Sequence, residues 1–251
     1  MRTIRRAEEI YRKQGGWFDA RWHLSFDDYR DPEWEQIGAL RVFNDDRLIP
    51  GAIWPMHPHR DIEGLTYVPE GTFRHEDSLG NGGVLPEGSV QRMTLGSGAY
   101  HSEQNGSETE PLRFIQMWVL PSRGSLPPSN EQRAWSKADH ADRLHLVMAP
   151  EGHDDPDAIT IHQDASVYVG YLSPGTEVTH TFEGPRRGGY LYVIDGRAAL
   201  DDGTELGTGE AVRFLEESSF SLRAGDQTEV ILVDVPLDFE PTGIWARMAA
   251  R

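Results

Sequence analysis

Short runs in which apolar and polar residues alternate recur along most of the chain, and turn-forming residues separate them. Trp22, Leu24 and Phe26 alternate with polar neighbours, which is the period-2 pattern of a half-buried strand. A later run that begins at Leu65 ends at the turn residues Pro69-Glu70-Gly71. Many short strands at this spacing predict an all-β sandwich or barrel.

The alternation predicts strands throughout both halves of the chain, at 21–26, 37–43, 65–68, 72–77, 89–95, 112–120, 144–149, 158–163, 166–172, 177–182, 190–194, 197–200, 211–215, 218–222 and 229–235. Residues 1–14 fit either a strand with a polar edge or a short amphipathic helix. Residues 121–133, rich in Pro and Ser, are interpreted as a linker or crossover. One helical turn is expected within 135–143 and another within 244–250.

The two halves of the chain resemble each other in their turns. Residues 65–71 match residues 190–196, and residues 85–88 match residues 206–209. A repeat of this kind indicates two copies of one domain. We place the domains at 1–133 and 134–251, with the tail 237–251 as a segment that packs back on the first domain.

Two pairs of residues in the first half carry the candidate chemistry. His57 and His59 are spaced i, i+2, and His101 and Glu103 have the same spacing. On a strand this spacing puts both members of a pair on one face. Two such pairs facing each other offer three imidazoles and one carboxylate to a single point, a set that suits a divalent transition metal.

The second half lacks this set of residues. In the repeat alignment, His57 and His59 fall opposite Phe182 and Gly184, and only His180 lies nearby. The scaffold is therefore predicted to be duplicated without its metal chemistry. We expect the second domain to be structural, a surface for a protein partner, or a wall of the first site. The remaining histidines are interpreted as surface or hydrogen-bonded interior residues: His23, His75, His140, His145, His153 and His162.

Composition narrows the class of protein. The chain has 251 residues, no cysteine and a formal net charge of −17. Without cysteine, disulfides and thiolate ligands are excluded, and a negative field of this size argues against direct nucleic-acid binding. No apolar run has the length of a membrane span, and the charged N-terminus lacks the apolar core of a secretory signal. We expect a cytoplasmic monomer that does not contact membranes.

Two stretches resemble the paired motifs of the cupin superfamily. Residues 51–71, with His57-Pro58-His59 between two glycines, resemble the first motif with one extra residue before the last glycine. Residues 98–105 resemble the second motif. More narrowly, HPHRDIEGLTYVPEG (57–71), HEDSLGNGG (75–83) and VQRMTLGSGAYHSEQN (90–105) look like the pirin family. That resemblance implies an all-β bicupin, with two jelly-roll-like β-sandwich or barrel domains facing each other, few short helices, and a degenerate second domain.

The resemblance also implies which residues hold the metal. In pirins the ligands correspond to His57, His59, His101 and Glu103. The usual cupin takes its carboxylate from the first motif, which here would be Glu63, and the sequence leaves that alternative open. We favour Glu103, because it shares a strand face with His101. Three imidazoles and one carboxylate leave open positions on a five- or six-coordinate metal, as in a catalytic site.

Quercetin 2,3-dioxygenase-like activity is the function that the pirin resemblance implies. A flavonol would bind through its 3-hydroxyl, Glu103 would act as the general base, and reaction with O2 would open the central ring and release carbon monoxide. We expect Fe(II), although Mn, Co, Ni, Cu or Zn fit the same ligands. The rival hypothesis is a metal-dependent regulatory or binding protein that performs no turnover.

Overall fold

The computed structural model describes residues 1–184 and 186–249, and β-strands dominate it. The first half contains twelve strands: β1 Arg2–Arg5, β2 Tyr11–Gln14, β3 Phe18–Trp22, β4 Leu40–Leu48, β5 Ile53–His59, β6 Glu63–Glu70, β7 Thr72–Asp77, β8 Gly82–Pro86, β9 Val90–Thr94, β10 Ala99–Asn105, β11 Leu112–Val119 and β12 Ser129–Arg133. The second half contains ten strands and a helix: β13 His145–Pro150, β14 Ile159–Ile161, β15 Ser166–Leu172, β16 Glu177–Thr181, β17 Arg187–Asp195, β18 Arg197–Leu200, β19 Glu205–Gly207, β20 Ala211–Leu215, β21 Ser219–Ala224, β22 Thr228–Pro236 and α1 Gly243–Ala249.

Each half pairs a large sheet with a small one. The first half has a seven-stranded sheet in the order β12-β9-β6-β11-β4-β3-β2 and a four-stranded sheet in the order β5-β10-β7-β8. The second half has the order β1-β20-β17-β22-β15-β13-β14 and the order β16-β21-β18-β19. The small sheets correspond strand for strand, and so do β9-β6-β11-β4 and β20-β17-β22-β15 of the large sheets, which supports the duplication inferred from the turns. The outer strands differ, since β14 pairs parallel with β13 while β2 pairs antiparallel with β3. The predicted all-β fold with two sandwich-like domains is confirmed.

The two halves meet through their large sheets. One buried apolar cluster combines Leu65, Tyr67 and Met117 of the first half with Tyr190 and Val233 of the second. Separate clusters fill the space between the large and the small sheet within each half. The molecule is therefore four layers deep, with the most extensive apolar packing between the halves.

Strand β11 contributes side chains to both faces of the large sheet. Its residues alternate between the two faces of the sheet. Ile115, Met117 and Val119 belong to the cluster between the halves. Phe114 and Trp118 point the other way and line the candidate site. The face of β11 that carries Phe114 and Trp118 therefore lines the cavity.

The bounds of two predicted strands were wrong. The strand expected at 21–26 ends at Trp22, because the chain then turns at Asp27, which has a positive φ of 47°. The strand expected at 37–43 spans Leu40–Leu48 instead. Gly38 turns the chain first, with φ of 50°, and its Cα lies so close to the carbonyl of Pro236 that a side chain would collide.

Several segments without an alternating pattern nevertheless form regular secondary structure. Residues 1–14 form β1 and β2, separated by a 3-10 turn at Ala7–Glu9. The expected linker 121–133 ends in β12, which pairs with β9 at the edge of the large sheet. The helical turn expected within 135–143 is a 3-10 turn at Lys137–His140. The expected C-terminal helix is present as α1, although residue 250 lies outside the described residues. In the part of the chain that is described, no helix is long and apolar enough to cross a membrane.

Candidate metal centre

The two histidine-bearing segments are adjacent strands of the small sheet in the first half. In the antiparallel pair β5–β10, His101 lies directly opposite His57, and Ala99 lies opposite His59. The zigzag of β5 turns His57 and His59 toward the large sheet, while Pro58 between them is exposed. The predicted meeting of the two segments is therefore present, between neighbouring strands of one sheet.

The three imidazoles converge on one point. One ring nitrogen each of His57, His59 and His101 lies within 4.8 Å of the others. The ring centroids are 4.6 Å apart for His57 and His101 and 4.9 Å apart for His59 and His101. Among the described residues, no other group of His, Asp and Glu side chains meets this criterion.

The environment keeps the three histidines neutral. Burial, together with the neighbouring imidazoles, lowers the pKa of His59 to about 3 and that of His101 to about 2. Burial also lowers the pKa of His57. The carbonyl of Pro55 lies 2.8 Å from Nδ1 of His57 and accepts a hydrogen bond from its N–H, which leaves Nε2 free as a ligand.

One nitrogen in this group has no partner. Nε2 of His101 is buried and forms no hydrogen bond with the protein. A buried polar atom without a partner is destabilising unless something else satisfies it. Neutral imidazoles with free nitrogen lone pairs are the ligands that a first-row divalent metal prefers, so the residues fit a metal ion.

Glu103 lies beside the histidine group. Its carboxylate oxygens are 3.5 Å from Nε2 of His101 and 3.9 Å from Nε2 of His57. A register shift in β10 between His101 and Glu103 places Glu103 opposite Trp54 instead of Pro55, as a β-bulge re-aims a side chain. Burial raises the pKa of Glu103 to about 8, so its carboxylate lacks a compensating charge that a cation would provide.

A short hydrogen-bond chain orients Glu103. The amide of Gln116 donates to Oε1 of Glu103 over 3.1 Å. The hydroxyl of Thr66 in turn donates to the amide oxygen of Gln116 over 2.7 Å. The Thr66 contact determines which end of the Gln116 amide faces Glu103, since its oxygen is already engaged.

Glu63, the alternative carboxylate, is engaged elsewhere. It is fully buried at the boundary between the halves, where its carboxylate lies 3.2 Å from Nδ1 of His162. The hydroxyl of Thr94 donates to it, and Arg92 lies 3.9 Å away. It is absent from the residues that line the cavity beside the histidines.

A cavity of about 90 Å³ adjoins the histidines and Glu103. Its wall is largely aromatic, with three polar residues of the large sheet, and consists of Phe26, Asn44, Asp46, Trp54, His57, His59, Glu103, Phe114, Gln116 and Trp118. Burial, with a contribution from the carboxylates of Asp45 and Glu103, raises the pKa of Asp46 well above its usual value. The cavity thus combines an apolar lining with a few convergent polar groups, as ligand sites do.

Two larger cavities open beside this inner one. A cavity of about 590 Å³ shares Phe26, Trp54, His57 and Trp118 with it. On the other side of Trp118, a cavity of about 720 Å³ shares His59. Trp245 of α1 lines both outer cavities. Its indole N–H donates to the carbonyl of Asp61, so the C-terminal tail lies at the entrance to the site.

Among the described residues of the second half, no equivalent group of histidines is present. His180 bonds to Asp234, 2.9 Å away, and not to a cluster of histidines. Phe182, Phe214 and Phe220 fill the interior between the sheets. Apolar packing thus takes the place of the polar cavity, in line with the predicted loss of the metal ligands.

Most of the remaining histidines are hydrogen-bonded, as expected. Two features were not expected: the contact between His140 and His145, and the nitrogen of His75 that has no partner among the described residues. His23 is buried and its Nδ1 lies 2.8 Å from the hydroxyl of Tyr190 in the second half. His140 and His145, which have no partner in the sequence pattern, face each other with their Nδ1 atoms 2.9 Å apart. His75 is fully buried opposite Glu103, and its Nδ1 has no partner.

Three polar residues of the cavity were missed by the sequence reasoning. Asn44 and Asp46 lie on β4, beyond the point where the apolar pattern ended. Gln116 interrupts the otherwise apolar strand β11. A polar residue inside a strand that is apolar on both faces is a signal that could have identified Gln116, since burial of an amide requires a partner.

The fold and the histidine group define a two-domain cupin protein with a single site of metal-binding type. A family model described as Pirin matches residues 4–119, and one described as Quercetinase C-terminal cupin domain matches residues 146–235. The chain belongs to the pirin family, as its motifs predicted.

Relatives support this membership over the whole chain. A Zymomonas mobilis protein named as a putative quercetin 2,3-dioxygenase is 40% identical over 218 residues, which cover 87% of this chain and 91% of the relative. An Escherichia coli K12 protein named quercetin 2,3-dioxygenase is 36% identical over 234 residues, 93% of this chain and 98% of the relative.

Solved structures agree with the fold. The crystal structure of YhhW from Escherichia coli superposes with a TM-score of 0.88 at 34% identity, covering 95% of this chain and 99% of YhhW. A structure of bacterial pirin YhhW in complex with nickel(II) superposes with a TM-score of 0.86 at 35% identity, covering 94% and 99%.

Proposed function

We propose that this protein is a metal-dependent dioxygenase that opens the central ring of a flavonol such as quercetin with O2 and releases carbon monoxide. The observation that carries the proposal is the convergence of three neutral imidazoles, within 4.8 Å, beside a buried carboxylate. The names of the relatives supply the substrate class.

His57, His59, His101 and Glu103 are proposed to hold one divalent metal. When bound, the metal supplies Lewis-acid chemistry that lowers the pKa of a coordinated hydroxyl. Fe(II) is the metal that we expect, and a monomeric, cytoplasmic protein with a domain boundary at 133/134 remains our prediction.

Glu103 is the proposed general base. Its carboxylate lies in the cavity wall beside the histidines. A general base needs a position at hydrogen-bond distance from the proton that it removes. The Gln116 amide donates to Oε1 and orients the carboxylate, and a lone pair that the metal does not use receives the proton of the substrate hydroxyl.

The cavities suggest how a flavonol is placed. The inner cavity of about 90 Å³ has room for the coordinating end of the molecule only. The adjoining cavity of about 590 Å³ has the size of a typical small-molecule site and accommodates the rest of the rings. Phe26, Trp54 and Trp118 border both spaces and offer aromatic faces to a planar ligand.

The test is a flavonol assay with Fe(II)-loaded protein, following quercetin consumption and carbon monoxide release. We expect turnover in the parent protein, loss of it in His101→Ala, and no change in the matched control His153→Ala, which lies in a loop of the second half. Full turnover by His101→Ala would overturn the proposal. The rival regulatory function predicts no turnover, together with metal-dependent binding of a protein partner.

A further inference from the structure

Two polar side chains in the wall of the inner cavity each have a buried oxygen without a partner among the described residues. Asn44 and Asp46 lie on β4 at spacing i, i+2, so they share one face of the strand. They are 2% and 4% exposed, and Oδ1 of each is buried without a hydrogen bond. Both residues line the cavity that the histidines and Glu103 also line.

The fold gains nothing from Asp46 at this position. A buried carboxyl oxygen without a hydrogen-bond partner destabilises the folded state. Phe114 lies directly opposite Asp46 in the β4–β11 pair and offers it no hydrogen bond. An apolar side chain of similar size would suit such a place better. Residues that break a local rule in this way are expected at functional sites.

Neighbouring polar residues have hydrogen-bond partners, unlike the Oδ1 atoms of Asn44 and Asp46. Asp45 precedes Asp46 in the chain but points to the other face, where Arg113 donates two hydrogen bonds to it. Gln116, which lies opposite Asn44, is fully engaged between Thr66 and Glu103. Asn44 and Asp46, in contrast, line the cavity and each keep an oxygen without a hydrogen-bond donor.

We infer that Asn44 and Asp46 form a second anchoring point for the ligand, which accepts a hydrogen bond from a hydroxyl other than the one at the metal. The ligand is then held at two places, the histidine group and strand β4. A site of this kind selects polyhydroxylated flavonols over those with a single hydroxyl, because a missing hydroxyl leaves the buried acceptors unpaired. The inference rests on the proposed function for the class of ligand.

The experiment measures binding and not turnover. Protein loaded with Zn²⁺, which has no redox chemistry, is titrated without O2 by quercetin and by 3-hydroxyflavone, which lacks the additional hydroxyls. Asp46→Leu removes the acceptor, Asp46→Asn retains one, and Asn44→Ala tests the second residue. Arg47→Ala is the matched control, since Arg47 follows Asp46 but bonds to Glu70 on the other face of the strand.

We expect Asp46→Leu to raise the Kd of quercetin about tenfold and to leave that of 3-hydroxyflavone within about twofold. Asp46→Asn and Arg47→Ala are expected to bind both compounds like the parent protein. The Tm of Asp46→Leu should equal or exceed that of the parent, because an unpaired carboxyl has been removed. Should the leucine variant not fold, Asn44→Ala is expected to show the same selective loss of quercetin binding.

Three results would overturn the inference. The first is an equal loss of binding for both flavonols. The second is a parallel loss of Zn²⁺ affinity, which would assign Asp46 to the metal. The third is a lowered Tm with unchanged binding, which would make its role structural. A selective loss of quercetin binding in a protein that shows no Fe(II)-dependent turnover would support the anchoring point and refute the dioxygenase proposal.

Discussion

Thr66 acts on the carboxylate of Glu103 through Gln116, without contacting it. Its hydroxyl engages the oxygen of the Gln116 amide, so the amide nitrogen faces Glu103. Outer partners of this kind hold metal ligands in place and tune their basicity. The orientation of Glu103 thus depends on two neutral residues of the large sheet.

Gln116→Leu should weaken metal binding if Glu103 is a ligand. Loss of a partner that orients a ligand typically costs about 10- to 100-fold in metal affinity. We expect a loss in that range, measured by competition for Zn²⁺ with a chelator, and a smaller loss for Thr66→Val. Gln91→Leu is the matched control, since Gln91 is buried in the same sheet but bonds to Asn130. Unchanged affinity in Gln116→Leu would contradict the proposed role of Glu103.

His23 makes stability depend on pH. Burial lowers its pKa to about 3 from an ordinary value of 6.5. Above pH 6.5 the imidazole is neutral in both the folded and the unfolded state, and its contribution is fully present. Below pH 6.5 only the unfolded state takes up the proton, so the free energy of unfolding falls by about 1.4 kcal/mol per pH unit until the folded pKa is reached.

His23→Phe removes this titration and keeps an aromatic ring against Phe43 and Tyr192. Urea unfolding of the metal-free protein at pH 7, 6 and 5 should show a shallower decline in the variant than in the parent. At pH 7 the variant is expected to be less stable by about 1–3 kcal/mol, because the Tyr190 hydroxyl loses a partner. Identical slopes in the two proteins would show that His23 titrates normally.

At this scale the sequence predicted the inward-facing histidines well. The i, i+2 spacing of His57 and His59 determines a common face wherever the segment is a strand. Asn44 and Asp46 could not be found in this way, because they lie in a polar run, Asn44-Asp45-Asp46, that lacks the apolar alternation of a strand. Their burial follows from sheet pairing on both sides of β4, which only the three-dimensional fold reveals.

Among the elements, α1 has the clearest connection to function. It begins at Gly243, and the backbone N–H of Ile244 donates to the carboxylate of Asp61. The carbonyl of Asp61 accepts the Trp245 indole N–H over 2.9 Å. A carboxylate at the start of a helix pairs with backbone N–H groups that have no partner within the helix. Asp61 therefore attaches the tail to the first half of the chain.

Trp245→Ala should impair binding of the flavonol without affecting the metal. The indole lines both outer cavities, so its removal takes away aromatic surface next to the ligand. We expect the Kd of quercetin to rise about tenfold and the Zn²⁺ affinity to stay unchanged, with Trp245→Phe in between. Equal Kd values for the parent and the alanine variant would show that the ligand does not reach the tail.

The sequence predicted the presence of strands more reliably than the residues at which they begin and end. The boundary near residue 40 depends on the close approach of Gly38 to Pro236, a contact between residues far apart in the chain. Strand β12 was missed because its residues, Ser129–Arg133, are all polar and lie at a sheet edge, where packing does not demand apolar residues. The duplicated order of strands, in contrast, was visible in the turns.

The two halves are joined by more than apolar packing. Arg113 on β11 donates to Asp45 beside it and to the carbonyl of Ile194 in the second half. Tyr67 donates to Glu229 across the same boundary over 2.6 Å. Separating the halves would leave these buried polar groups without partners and expose the apolar faces of both large sheets.

A chain limited to residues 1–133 should therefore not fold into a soluble domain. Its large sheet would expose Leu65, Tyr67 and Met117, which the second half covers. We expect aggregated protein, and recovery of soluble, Zn²⁺-binding material when 134–251 is produced in the same cells. A soluble 1–133 that binds Zn²⁺ with the affinity of the whole chain would contradict this expectation.

The first strand, β1, and the C-terminal helix, α1, each pack against the half of the molecule that lies farther along the chain from them. Strand β1 occupies the edge of the second large sheet, the place that β12 occupies in the first, while α1 borders the cavity of the first half. Cutting the backbone between the halves would hence yield two fragments that each hold a missing piece of the other. Each fragment would therefore insert its terminal segment into the other when the two associate. The entrance to the site would be complete only in the associated form.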